Sequence, residues 1–448
     1  MRFPKTSVYW VHPMTTLTED LKDPRPTQQI LALALAIGAT VPGLVLRATE
    51  PHIAPHWEAV LYGLAIVGAA FMLSWAAEVA QLDVSAGLAI GLLALIAVLP
   101  EYAVDLVFAF KAGNAVQEFG PACRPPMSGL ESPCSLALAN MTGANRLLIG
   151  LGWPMVVGIG WYRARRIARP IKEVRLERSH SVELAFLAVA TLYSLTLPFK
   201  TTITLWDAAV LVGIFVLYVV RLANAPAEEP HLVGPARYLG GFSTTRRRAA
   251  VGTLFVFAAL VILAVAEHFA EALVQTGQAL NVSEFLLVQW LAPLASEAPE
   301  LLVAGLYAWR LNTSTGLAAL VSSKVNQWTL LVGTLPLVFA LASESFEGLP
   351  VEPRQRKELL LTAAQSVFAV ATLSSLSMST REALALFCLF WLQFVLGALV
   401  PVGWHEQELV MVSVLYLLIA GALLARTRHV LPALLRDGFR TSHAVLRQ

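Results

Sequence analysis

Six ionisable residues stand inside otherwise apolar runs: Glu101 and Asp105 in "AVLPEYAVDL", Glu297 and Glu300 in "LASEAPELLVAG", Arg146 in "GANRLL" and Lys324 in "SSKVNQ". A charge at the centre of a bilayer costs about 2.5 to 3.5 kcal/mol on insertion scales, so each one points to a function. Glu101 and Asp105 are spaced i,i+4 and Glu297 and Glu300 i,i+3, so on helices each pair shares one face. Carboxylate oxygens are hard ligands suited to sodium, calcium or a proton, and two acids in one place favour holding a proton. Pro100 and Pro299 each precede a glutamate. A proline within a helix cannot donate to the carbonyl four residues earlier, so helix breaks are expected there, with the carbonyls of Ile96 and Ala295 free beside the acids. The plainer alternative is a kinked helix whose glutamates sit in salt bridges. With all six groups ionised, four acids and two bases leave two uncompensated negative charges, a balance suited to a monovalent ion or protons. Each base locking an acid, with Glu297 balancing Lys324, is the structural version of the same arithmetic.

These side chains need elements that place them at membrane depth. Hydrophobic residues make up 57% of the 448 and charged residues 14%, against about 45 to 50% and about 25% in soluble domains. With a mean hydropathy of +0.65, the chain reads as an all-α polytopic membrane protein. At about 20 apolar residues per crossing, it holds about twelve transmembrane helices. The net charge of +2 gives no reason to expect nucleic acid; the lipid bilayer and small inorganic cations are the expected partners, no cofactor is expected, and oligomeric state is open. Residues 1–28 lack the basic, apolar and small-residue pattern of a secretory signal.

Arginine and lysine cluster after the fourth span ("WYRARRIARPIKEVRLERSHS"), after the sixth (Arg237, Arg246, Arg247, Arg248) and in the tail (Arg426, Arg428, Arg436, Arg440, Arg447). Twelve crossings put all three on one face with the N-terminus, and the positive-inside rule makes that face cytoplasmic in a plasma (inner) membrane. Lipid binding by these stretches is the alternative to simple topogenic charge. The loop holding Cys123 and Cys134 then faces outward, where the two either form a disulfide or remain free thiols.

The two halves repeat. "LDVSAGLAIGLLALIAVLPEYAVDL" from Leu82 resembles "LNVSEFLLVQWLAPLASEAPELL" from Leu280, aligning the two Pro-Glu pairs with one residue of slippage. "NMTGANRLLIG" has a looser counterpart in "LVSSKVNQWTLLVG", which puts Arg146 and Lys324 at nearly corresponding places. Five spans per half turn the second copy upside down, and inverted repeats of this kind typify secondary transporters with a midplane site. The expected division is a cytoplasmic segment 1–28, an extra helix and loop 29–57, a first repeat 58–222, a cytoplasmic linker 223–248, an inverted second repeat 249–402, an extra C-terminal helix 403–426 and a basic tail 427–448. The extra helices carry no internal charge on this reading and serve packing.

On these residues the chain resembles the sodium/calcium exchanger family of the cation/calcium antiporter superfamily, whose repeats carry a "G-T-S-L-P-E" type motif followed by "G-S-N-x-x-N". The resemblance implies two inverted five-helix repeats and cation antiport by alternating access. It puts Glu101 and Glu300 at the acidic positions that ligate the transported cation, with Gly143 and Asn145 retained in the first partner motif. Ala97 and Val98 replace hydroxyl ligands, Glu297 replaces a serine beside Ser296, and Lys324 falls where the family has Asn or Asp.

The reading that follows is a sodium (or other small cation)/proton antiporter. Glu101 and Glu300 bind cation or proton in turn, Asn145 and Ser323 act as neutral ligands, and Lys324, Glu297, Asp105 and Ser296 complete the site, with Arg146, Asn140 and Gln327 near it. Calcium exchange for sodium or protons is the alternative. Ser323 beside Lys324 suggests a serine/lysine dyad, but adjacent helix residues point about 100° apart, and no HExxH or GxSxG stretch supports an intramembrane enzyme. A transport-inactive sensor is the remaining option.

Overall fold

The computed structural model describes residues 26–51, 53–83, 99–124, 131–168, 171–224 and 232–446. The first half of the expected third span lies outside these residues, and with it Ile96, Ala97 and Val98; so does nearly all of the N-terminal segment.

The described chain is helical almost throughout. In the first half the helices are α1 (Pro26–Thr49), α2 (Pro55–Ala80), α3 (Leu99–Phe119), α4 (Pro133–Arg166), α5 (Ser181–Ser194) and α6 (Leu205–Ala223). A short α7 (Pro235–Gly240) leads into α8 (Thr244–Leu280), followed by α9 (Glu284–Trp309), α10 (Thr313–Ser343), α11 (Pro353–Leu373), α12 (Thr380–Leu399) and α13 (His405–Thr427). The tail adds α14 (Leu431–Phe439) and α15 (His443–Leu446). Eight segments are long and apolar enough to cross a membrane by length and composition. The glutamate-bearing α3 and α9 fall outside that set, since their acids lower the hydropathy.

Local chemistry fixes the ends. Thr204 with Asp207 and Ser379 with Glu382 form capping boxes at the starts of α6 and α12, satisfying backbone donors that the first helical turn leaves open. The "LNVS" stretch becomes the turn between α8 and α9: Asn281 closes α8 in the left-handed conformation at φ 52°, and the Ser283 hydroxyl accepts from the Leu286 amide. Asparagine tolerates that conformation better than most side chains. In the first copy Asp83 instead takes a bidentate grip from Arg247 at 2.7 and 2.8 Å. The Arg247 guanidinium holds the Asp83 carboxyl below its ordinary range, and Arg178 does the same for Asp437.

The halves are interleaved. α4 packs on α9, and α10 packs on α3, so each glutamate-bearing helix is braced by a helix of the other half. α1 packs on α2, and α13 on α11. Two small antiparallel pairs tie loops together. β1 (Glu173–Arg175) pairs with β4 (Ser377–Ser379), and β2 (Thr202–Ile203) with β3 (Leu349–Pro350). In the twelve-span reading β1 and β4 share one face and β2 and β3 the other. On the same reading the ion pairs Arg178–Asp437 and Arg247–Asp83 tie helix ends and loops on the first face, and Arg354–Glu131 and Lys357–Glu406 do so on the second. The second face also carries a disulfide between Cys123 and Cys134, which resolves the alternative left open by the sequence.

Pro299 does not end its helix. α9 runs without interruption through Pro293 and Pro299, correcting the expected break: a missing donor weakens one rung, and packing on both sides keeps the helix going. For Pro100, at the second residue of α3, the residues before Leu99 lie outside those described. The irregularities appear one helix later, as π-helical segments Leu148–Gly152 in α4 and Gln327–Leu331 in α10.

Candidate functional site

Gly143 sets the spacing of the site. A Cβ built there would lie 1.7 Å from the Gln289 carbonyl oxygen, so only glycine lets α4 and α9 approach this closely. The π segments begin three residues after Asn145 and three after Lys324, so counting from them Lys324 corresponds to Asn145 and not to Arg146. A π turn shifts the side-chain register by about one residue, and such bulges recur at functional sites.

Around this crossing the structure gathers most of the expected residues. The fully buried Lys324 ammonium donates to both the backbone and side-chain oxygens of Asn145, each at 2.5 Å, and lies 5.0 Å from the Trp328 ring centre. Gln327 donates to Glu297 at 2.7 Å and to Glu101 at 3.3 Å, bridging the two halves through one amide. The Ser323 hydroxyl donates to Glu300 at 2.6 Å. Asn140 donates to Asp105 at 2.6 Å, while Ser296 donates back to its own helix at Ala292 and Pro293. One oxygen each of Glu297, Asp105 and Gln327 is buried without a hydrogen-bond partner. Among the described residues no three His, Cys, Asp or Glu side chains converge to hold a metal ion. The site is a chain of paired carboxylates.

Two expectations change. Glu297 makes no direct ion pair with Lys324: the lysine donates to Asn145, and the glutamate accepts from Gln327 on one oxygen and leaves the other without a hydrogen bond, so the two charges act on each other only across space. Arg146 does not belong to this pocket. It turns to the other side of α4, where it donates to Glu358 at 2.5 Å with both groups buried and its guanidinium lies 5.1 Å from the Trp290 ring centre. Adjacent positions on a helix point in different directions, so the chain delivers Asn145 to one network and Arg146 to another. The same rule separates Ser323 from Lys324, whose hydrogen bonds go to Glu300 and Asn145.

Glu358 escaped the sequence reading, together with its neighbours on α11. Gln355, Glu358, Thr362, Gln365 and Ser366 are all buried, forming a polar stripe at helical spacing. Gln289 donates to Glu358 at 3.2 Å, Gln365 to the Arg146 carbonyl at 3.3 Å, and Trp328 to Ser366 at 2.6 Å. The signal was present, since polar residues repeating every three or four positions in a span mark an inward face. Glu408, at the start of α13, was also missed. It is buried in the first turn of that helix, at the end of the span and not within it.

This arrangement can be set beside known proteins. The family described as sodium/calcium exchanger protein matches residues 56–223 and 251–400, well over half of the chain. The chain belongs to the sodium/calcium exchanger family. As a member it is a multi-pass membrane protein of a cation-exchanging family. It is 40% identical to the H+/Ca2+ exchanger CAX, whose crystal structure superposes with a TM-score of 0.82 over 93% of this chain and 98% of that one. Native YfkE shares the fold at 13% identity, with a TM-score of 0.56 over 87% of this chain and 99% of that one. No curated protein matches the chain.

Proposed function

We propose that this exchanger is a secondary antiporter that trades a small inorganic cation for protons by alternating access, with Glu101 and Glu300 carrying cation and proton in turn. The observation that carries the reading is the withdrawal of Arg146 to Glu358. Four acids, Glu101, Asp105, Glu297 and Glu300, then face Lys324 alone, and with all five ionised the balance is four negative against one positive, a deficit of three. A deficit that large is too costly to leave bare at bilayer depth. Protons and a cation must meet it, and replacing one with the other is antiport.

Calcium now leads as the cation. The deficit accommodates a divalent ion with a shared proton, and the 40% identity to an H+/Ca2+ exchanger supports the same choice. Sodium, which the six-charge count put first, keeps one specific support: the Lys324 ammonium occupies the Asn145 oxygens, as a monovalent cation would. In either case Asn145, Ser323, Gln327 and Ser296 act as neutral ligands, and Lys324 vacates Asn145 as the cation arrives. Asn140 holds Asp105 in place as the accessory acid. Inversion of the two halves is supported by the paired matches at 56–223 and 251–400 and by the two π segments. The arginine-rich loops support a plasma (inner) membrane orientation with both termini cytoplasmic.

Protein in liposomes with a trapped pH dye tests this. An inward calcium or sodium gradient drives proton efflux, and Glu300→Gln abolishes it. Unchanged proton flux in Glu300→Gln would overturn the reading. Radioactive calcium uptake separates the ions: its absence under every imposed gradient removes calcium and leaves sodium.

A further inference from the structure

A cavity of about 430 Å3, with several charged and polar side chains in a largely apolar wall, lies between α9, α11, α12 and α13, lined among others by Arg146, Glu358, Gln393, His405, Glu406 and Glu408. It opens at the end of the molecule that holds the Arg354–Glu131 and Lys357–Glu406 pairs. Most of its charges are matched. Arg146 neutralises Glu358, Arg354 is paired with Glu131 and Glu406 with Lys357, and the His405 ring is hydrogen-bonded to the Val400 carbonyl. Glu408 makes no ion pair of its own, though Arg146 and His405 stand close enough to act on it.

Two buried lining side chains carry acceptors that nothing in the protein satisfies. Glu408 is 6% exposed and Gln393 8% exposed, and Oε1 of each lacks a hydrogen-bond donor. Two unsatisfied oxygens with one net negative charge ask for a cation; an anion would meet Glu408 and an apolar ligand would leave both oxygens stranded. The charge of one selects a monovalent ion. With about 30 Å3 per water in the liquid, the cavity has room for the ion to keep part of its hydration shell.

We propose that this cavity is a second cation site, taking a partly hydrated monovalent ion such as sodium against the Glu408 carboxylate and the Gln393 amide oxygen, with the Glu358–Arg146 pair as its inner wall. The site gives the C-terminal helix outside the matched family segments a ligand role. It is also connected to the transport residues. Gln289 links Glu358 to Thr142 on α4, and Arg146 adjoins Asn145, so an ion bound here bears on the helix that supplies the Lys324 acceptor. The site does not depend on the antiport reading.

Equilibrium binding of radioactive sodium to the purified full-length protein tests it, in a Glu101→Gln/Glu300→Gln background that silences the transport acids. The background protein is expected to retain about one saturable sodium per chain. Adding Glu408→Gln lowers its affinity at least tenfold, and adding Gln393→Leu lowers it several-fold. An equal concentration of calcium leaves the bound sodium in place. No saturable sodium in the background protein overturns the proposal, as does affinity unchanged by the Glu408 substitution or sodium displaced by calcium. If Glu408→Gln does not elute as a monodisperse species, the Gln393→Leu affinity decides in the same two directions.

Discussion

At the scale of single residues, the site is organised by which neighbour each charge chooses. Arg146 and Lys324 look interchangeable in the sequence, as two bases in two similar stretches. One ends against a carboxylate and the other against neutral oxygens. The difference has an energetic consequence. Removing one member of a buried ion pair strands the other, at roughly 3 to 5 kcal/mol, whereas replacing both is often nearly neutral. Arg146→Met is therefore expected to lower thermal stability in detergent sharply, and Arg146→Met/Glu358→Gln to recover most of the loss. Equal destabilisation by the single and double variants would mean that the pair is not the reason Arg146 is there. The six intramembrane charges and the two Pro-Glu pairs were legible from residue type and spacing. The partners were not, because Glu358 lies 212 positions from Arg146 and no local pattern reports such a contact.

At the scale of elements, glycine and the π segments matter more than the prolines. Pro299 drew attention as a helix breaker, yet α9 continues through it. Gly143 attracted notice only as a retained motif residue, and it sets how closely α4 and α9 cross. Overpacking a tight contact costs typically about 1 to 3 kcal/mol, and here the obstacle is backbone, which cannot rotate aside. Gly143→Ala is expected to lower the melting temperature measurably and to reduce transport. Gly158→Ala, on the same helix with nothing within 4 Å of its built Cβ, is expected to change neither. A stable and active Gly143→Ala protein would refute the close crossing. Helix positions were readable because apolar length is a local property. The π turns were not, since α-helical and π-helical hydrogen bonding use the same residues and the choice is settled by what the helix packs against.

For the whole molecule, loop pairing sorts the connections into two sets. On the twelve-span reading, β1 with β4 and Arg178 with Asp437 occupy one face, and β2 with β3 and Lys357 with Glu406 occupy the other. Single cysteines at exposed positions read the two faces directly in a background with Cys388 replaced. Glu347→Cys, beside β3, is expected to react with an impermeant maleimide on intact cells. Ser375→Cys, beside β4, is expected to react only after permeabilisation. Labelling of both from the same side would overturn the assignment of the faces. By itself the sequence determined a membrane-embedded helical protein, its likeness to cation exchangers, and the acids at its centre, because hydropathy and the cost of intramembrane charge act along the chain. Only the tertiary structure decided that Lys324 rests on Asn145, that Glu297 answers to Gln327, and that Arg146 serves a separate network with Glu358. Those choices depend on the close crossing of helices from opposite halves, a distance that no run of neighbouring residues encodes.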